Sequence, residues 1–436
     1  MNTIKLPENI TNNDFLDSVV SSLSVPREIL AANEDIEDVW QRLPMLLAKI
    51  PHEFINPLIA RMCVAVRVGL FDSAINYIWN ATIINLRKKI IEFGVNEASE
   101  LLNLQKELTI TNLLEITDAQ LLKYCLSLNL ITETGYFFLD QCRNIRNNYS
   151  SAHPVNAGEM LDNYGLQSYI NNCVKYSFTT AADLKGVDLK SLTTSLKSVP
   201  FKEEQLTFWY EAIKNTNETQ KSVIFVRLHS LYCDSTSSES TRLNCLALFK
   251  ICKEFVTDTT MSSILIQHQE YVSQGKNEKL TASRMFYQQT ESLTYLNESE
   301  KNIIFINAIR NLENVHNQYN NFYNEPPFAN YLFLLTKQSG VPDTVKREFV
   351  AVVVECSTGN GYGVSNVADI YYIDMVKNFS PAEIKLMIEM YENNAHFKFK
   401  LQTYSNCMVK YKELLKMISP LSVPKSLLSK YEDFIK

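Results

Sequence analysis

The chain is short of glycine. It has 11 in 436 residues, where an average usage of about 7% would give about 30. Few glycines mean few tight turns, which disfavours many-stranded β architectures and favours helices. Long apolar runs are also missing: stretches such as 349–354 fall far short of the about 20 residues that cross a bilayer. The opening residues, Met1 to Asp17, carry no apolar core of a signal peptide. There is no excess of positive charge. With 42 Lys and Arg against 48 Asp and Glu the net charge is −6, so attraction to nucleic acid is not a property of the whole molecule and must be local if it exists. The nine cysteines form no Cys-x-x-Cys pair, and the six histidines are dispersed. No metal site or cofactor motif is expected from that pattern, and the odd cysteine count fits reduced, buried thiols in a cytoplasmic protein. What remains is ordinary for a globular chain: 46% hydrophobic and 21% charged residues, enough for a large core without covalent staples.

Apolar spacing predicts helix throughout, and the expected fold class is all-α. Residues 1–50 read as a polar arm followed by a helix over 35–50 that Pro51 stops. Pro57 to Val68 is the next helix, with Asn56 as N-cap, Pro57 at its first position and Gly69 after its end. Asp72 or Ser73 caps a helix running to Phe93, with Ala74, Ile75, Ile78, Trp79, Ile83, Leu86 and Ile90 as its inward stripe. Shorter helices over 98–107 and 118–128 precede a strong one over 132–148. Asn156 and Glu159 are placed to form a capping box opening a helix towards Tyr176. Residues 181–200 read as a linker between a helical bundle at 51–180 and a C-terminal α-helical array at 201–436. That array is solenoid-like, with a break at Glu325-Pro326-Pro327 that subdivides it and a single helix over 396–418.

One stretch carries chemistry: Arg146-Asn147-Asn148-Tyr149-Ser150-Ser151-Ala152-His153-Pro154. A guanidinium can hold a phosphate bidentately and offset charge that develops in the transition state. An imidazole titrates near neutrality and can take a proton from a ribose 2′-hydroxyl or give one to a leaving oxygen. Arg146 falls on the last turns of a helix, and His153, preceding a proline, is pushed out of the α region. The chain can then fold back so that both face one pocket. The other reading of the pair is that both merely cap and solvate a helix end. A second Arg/His match, Arg310 and His316, lies in what reads as an uninterrupted helix, where positions six apart point about 120° away from each other.

The segment from Ala60-Arg61 through Gly69-Leu70-Phe71-Asp72-Ser73-Ala74-Ile75-Asn76-Tyr77-Ile78-Trp79-Asn80-Ala81, taken with the stretch from Cys142 to Pro154, resembles the HEPN superfamily over about 50–180. It is closest in look to abortive-infection proteins of prokaryotic defence loci. The resemblance implies two antiparallel helix pairs with an Arg-x4-6-His motif near the end of the third helix. It implies a metal-independent endoribonuclease that cuts RNA by 2′-hydroxyl attack and leaves a 2′,3′-cyclic phosphate, a homodimer that pairs two motifs, and a toxic role in anti-phage or stress defence restrained by a regulatory protein or antitoxin. Arg146 and His153 match the catalytic pair and Asn147 the polar residue after the arginine, with Tyr149 and Ser151 supporting. The six intervening residues are the upper limit of the family spacing. Arg143, Arg87, Lys88 and Lys89 are candidate RNA contacts. For the three basic residues at 87–89 the other reading is dipole complementation at a helix C-terminus. The alternative function is a non-catalytic interaction protein in which a HEPN-like fold serves only dimerisation. No membrane partner is expected. The glycine cluster Gly359-Asn360-Gly361-Tyr362-Gly363 lacks a following Lys-Ser/Thr and reads as a helix end and turn rather than a phosphate loop.

Overall fold

The computed structural model describes residues 6–7, 13–102, 104, 107–150, 161–178 and 186–436. Among them are 23 α-helices and no strand, so the chain is all-α. Contacts divide it into two compact units, Met1–Ile264 and Leu265–Lys436. The division falls inside a helix, and the 181–200 segment contains helix Leu189–Leu196.

The first unit holds α1 Asn13–Ser22, α2 Asn33–Leu47, α3 Pro57–Arg67, α4 Phe71–Phe93, α5 Val95–Leu101, α6 Ile110–Glu115, α7 Asp118–Ser127, α8 Glu133–Tyr149, α9 Asn163–Ser177, α10 Leu189–Leu196, α11 Glu203–Lys214, α12 Glu218–Cys233, α13 Glu239–Ile251 and the start of α14 Asp258–Ser273. The start of α3 is fixed as its sequence predicts: the Asn56 side chain accepts from the Leu58 and Ile59 amides at 2.9 and 3.3 Å, a cap that contributes about 1 kcal/mol. Gly69, at φ +75°, then reverses the chain into α4, and a Cβ there would press on the Ala31 backbone and the Ile36 side chain. Asp72 and Ser73 do not cap α4; the helix opens at Phe71 without a side-chain cap, and burial of Phe71 anchors its start instead.

Helix α4 is the centre of this unit. It packs against α3, α7, α8 and α9 and buries the stripe expected of it. Trp79 is fully buried with its indole N–H donating to Asp118 Oδ2 at 2.8 Å. Truncating such a side chain costs about 3–5 kcal/mol. Asn85 Nδ2 donates to the Ser177 carbonyl at 2.7 Å and so ties α4 to the end of α9. The pairs α3–α4 and α8–α9 therefore share one core. Helix α9 starts at Asn163 under an Asp162 cap, which accepts from the Gly165 amide at 2.7 Å. Asn156 and Glu159 lie outside the described residues.

The second unit holds the rest of α14, then α15 Asn277–Gln289, α16 Glu298–His316, α17 Asn321–Ser339, α18 Lys346–Thr358, α19 Asp369–Lys377, α20 Pro381–Asn393, α21 Ala395–Thr403, α22 Ser405–Lys416 and α23 Leu428–Ile435. Two sequence expectations are corrected here. The chain does not break at Pro326-Pro327; both prolines lie inside α17. The break falls earlier, at Asn320 in the left-handed region (φ 63°). Pro326 has no N–H to give to the Phe322 carbonyl, and the Ser365 hydroxyl takes that acceptor at 2.6 Å. The expected helix over 396–418 is two helices, α21 and α22, with Tyr404 between them in extended conformation. A capping box forms at Ser380 and Glu383, with Pro381 at the first helical position.

No helix among the described residues is long and apolar enough to cross a membrane.

Candidate functional site

Helix α8 is capped by Thr132, which accepts from the Gly135 amide at 2.9 Å. Its buried residues are Gly135, Leu139 and Cys142, a four-then-three spacing that follows one helix face. The next position on that face is Arg146. A guanidinium therefore stands where the apolar stripe would otherwise continue, at the edge of the core. Arg146 is half-buried. Its Nη1 donates to Asn147 Oδ1 at 3.0 Å, and its Nε is enclosed with no hydrogen-bond partner among the described residues. An unsatisfied buried donor costs roughly 1–3 kcal/mol; the Nε atoms of Arg87, Arg227 and Arg242 are unpaired in the same way among the described residues. Its charge reaches the phenol of Tyr169 on α9. Burial pushes that phenol well above its ordinary pKa, the thiols of Cys173 and Cys142 add to the rise, and Arg146 opposes it.

Asn147 and Tyr149 are half-buried on the last turn of α8. His153 and Ser151 lie outside the described residues. The other basic candidates are committed to the fold. Arg143 pairs with Asp140 at 2.8 Å. Arg87 donates to the Leu114 carbonyl at 3.2 Å. Lys88 pairs with Glu92 at 3.5 Å and sits 4.7 Å from the Phe54 ring centre. Lys89 donates to the Leu130 carbonyl at 3.3 Å, and burial lowers its pKa against the opposing pull of Cys125 and Glu92.

The second Arg/His match behaves as helix geometry requires. Helix α16 is continuous from Glu298 to His316. His316 Nδ1 lies 2.8 Å from Glu325 Oε1, while Arg310 borders a groove of about 350 Å³ together with Glu313, Glu348 and Glu355. Three carboxylates beside one guanidinium do not suit a phosphate.

Sequence spacing missed three further constellations. His268 Nδ1 lies 2.9 Å from Ser283 Oγ, and its Nε2 lies 3.4 Å from Glu300 Oε2, an order of groups seen in serine nucleophiles. Glu300 is also held bidentately by Arg284 at 2.6 and 3.1 Å. Burial alone would raise its carboxyl pKa, but Arg284 and His268 outweigh burial and lower it. Burial, aided by Arg284, lowers the His268 pKa against the pull of Glu300. All three are enclosed: Ser283, His268 and Glu300 are buried, so no substrate reaches the hydroxyl. Cys233 Sγ and His229 Nε2, 3.4 Å apart on α12, are equally enclosed. Glu325 is 0% exposed, with His316 on one oxygen and the Tyr372 hydroxyl donating to the other at 3.0 Å. The partners are 9 and 47 residues away, distances at which no local pattern signals a contact.

Among the described residues no group of three or more His, Cys, Asp or Glu side chains is arranged to hold a metal ion. All nine cysteines are free and buried, and burial pushes the thiols of Cys63, Cys125, Cys245 and Cys252 up to about 11 or 12, away from nucleophilic use. No family model, curated protein or solved structure matches this chain.

Proposed function

We propose that the helical bundle at 51–180 is a HEPN-type, metal-independent endoribonuclease acting in prokaryotic anti-phage or stress defence. The observation that carries the reading is Arg146: it continues the inward stripe of α8, yet its Nε has no partner among the described residues. The pairs α3–α4 and α8–α9, with Arg146 near the end of the third of these helices, fit the arrangement that the HEPN resemblance implies. In the proposed reaction Arg146 holds the scissile phosphate and offsets its growing charge. The ribose 2′-oxygen attacks phosphorus and loses its proton to a base, and the bond to the 5′-oxygen breaks with proton return. His153 serves that proton transfer. The products are a 2′,3′-cyclic phosphate and a 5′-hydroxyl end. Asn147 restrains the guanidinium through its Nη1 contact, and Tyr149 and Ser151 support the pair. The same reading carries a homodimer across the motif-bearing face and a restraining partner protein.

The test is RNA incubated with the purified chain in EDTA. Cyclic phosphate ends are expected from the wild type and not from His153→Ala. Intact RNA with folded wild type would move the reading to a non-catalytic dimerisation module.

A further inference from the structure

In the second unit, three stretches of chain meet at one surface and none carries a charge. Asn314 to Asn324, Cys356 to Ala368 and Leu401 to Val409 contain no Asp, Glu, Lys or Arg, in a protein where these make up 21% of residues. The contacts that join them are specific. Ser365 Oγ donates to the Phe322 carbonyl at 2.6 Å. Asn406 Nδ2 donates to the Asn360 carbonyl at 2.9 Å. The Tyr404 ring lies so close over Gly361 that a Cβ there would meet it at 2.5 Å.

The loop between α18 and α19 is held at its base as well. Lys400 Nζ donates to the Glu355 and Gly359 carbonyls, each at 3.0 Å, and to Thr358 Oγ1 at 2.9 Å. Asn360 and Gly363 exchange backbone hydrogen bonds at 2.9 and 3.1 Å, and the Asn360 side chain accepts from the Tyr362 amide at 2.9 Å. A loop fixed at this many points loses little further entropy on binding. It nevertheless displays Tyr362 at 96% exposure, and the Asn314 to Asn324 stretch displays Tyr319 at 93% and Tyr323 at 85%. Tyr404 and Val367 are also exposed there.

We propose that this surface is a self-association face that receives a second copy of the chain. Two arguments select that occupant. In a two-fold contact each residue lies near its own counterpart, so charges near the axis repel. Copies of net charge −6 meet without that penalty where the surface is neutral, and here it is neutral over all three stretches. The same neutrality disfavours RNA, whose binding is dominated by cations set against phosphates. The second argument is area. Tyrosines bury about 150–250 Å² each, so each exposed ring that enters the contact supplies about a fifth to a third of the about 800 Å² per partner in a standard interface. Tyrosine anchors among asparagine, glycine and serine form the adaptable, low-entropy contact set of protein recognition surfaces. Nothing in this contact draws on Arg146 or His153.

The experiment compares the full chain with Tyr319→Ser/Tyr362→Ser by sedimentation velocity at micromolar concentration, with circular dichroism confirming helix content. Both side chains are almost fully exposed, so the fold is not at stake. Loss of one association step is expected in the variant, with dissociation strengthened by about tenfold or more, as for a hot-spot pair. In parallel, Tyr362→Cys places an exposed thiol in a protein whose nine own cysteines are buried, and oxidation should join two copies through it. A wild type that stays monomeric overturns the proposal. So does a wild-type assembly left unchanged by both serines, which would place association on another face.

Discussion

The edge of the first unit at Arg146 and the centre of the second unit at Glu300 and Glu325 invert what is ordinarily sought in a site. The second unit has the richer chemistry on paper: a Ser283–His268–Glu300 order and a carboxylate shared by His316 and Tyr372. All of it is enclosed, although His268 Nε2, 3.4 Å from Glu300, makes no hydrogen bond among the described residues. The Arg146 edge has a single guanidinium, half-buried, whose Nε is likewise unpaired among the described residues. An enclosed polar network specifies a core, whereas a polar group at the edge of an apolar stripe is within reach of something that is not part of the core. Access, rather than the presence of chemically able groups, separates the two.

The sharpest way to break that contrast is at Arg146 and His153. Arg146→Ala and His153→Ala should each lower single-turnover RNA cleavage by about 10²–10⁴-fold, with helix content unchanged by circular dichroism. Arg146→Lys should rescue little, because an ammonium lacks the planar fork. Cleavage at wild-type rate in both alanine variants would remove the site.

The next effect is on stability. Glu325→Ala strips His316 and Tyr372 of their shared acceptor and should destabilise the second unit by about 3 kcal/mol, read as a lower urea midpoint. RNA cleavage by the folded fraction should persist. An unchanged midpoint would mean that the enclosed carboxylate does not hold this core together.

Acid should act on the second unit through His268 and Glu300. The lowered His268 pKa means that the unfolded chain takes up this proton first. Stability is therefore present above about 6.5, the unfolded value, and is lost as pH falls towards the folded one. Glu300, also lowered, adds a second loss as pH falls through the carboxylate range. Urea midpoints measured from neutral pH downward should show the first loss in the wild type and not in His268→Gln. Equal slopes in the two proteins would rule His268 out as its source.

The smallest effect is expected from Ser283→Ala. It removes one hydroxyl from the buried relay, at about 1 kcal/mol, and leaves every activity of the chain unchanged. A lost activity in this variant would show that burial does not silence the triad.

Much of the local architecture was legible in the residues. Asn56-Pro57, the inward stripe of α4 and the Ser380–Glu383 box state their own structure, because caps and helical periodicity act within a turn or two. The inward face of α8 was legible only in part: Leu139 and Cys142 are buried, whereas Gly135 carries no apolar signal and Phe137 is exposed. The course of α17 was not. Pro326-Pro327 carries a strong local instruction to stop, and the partner that cancels it, Ser365, lies 43 residues onward. The enclosure of Ser283, His268 and Glu300 was hidden for the same reason: no window of sequence contains the elements that cover them. Arg87, Lys88 and Lys89 look like a basic patch in one dimension; Glu92 on the same helix pairs with Lys88, while the carbonyls and the ring beside them come from other elements.

The bond from Ser365 to Phe322 also bears on the order in which the second unit comes together. A helix interrupted by two prolines cannot propagate through its own first turns by local hydrogen bonding. One carbonyl early in α17 is met by a hydroxyl from beyond α18, so that turn is fully bonded only when Ser365 is in place. Local and long-range structure are thereby made simultaneous at one point of the chain. A nascent chain ending before Ser365 would hold α17 in sequence but lack the donor that completes that turn, and amide exchange early in α17 would report the arrival of a loop that is not its neighbour.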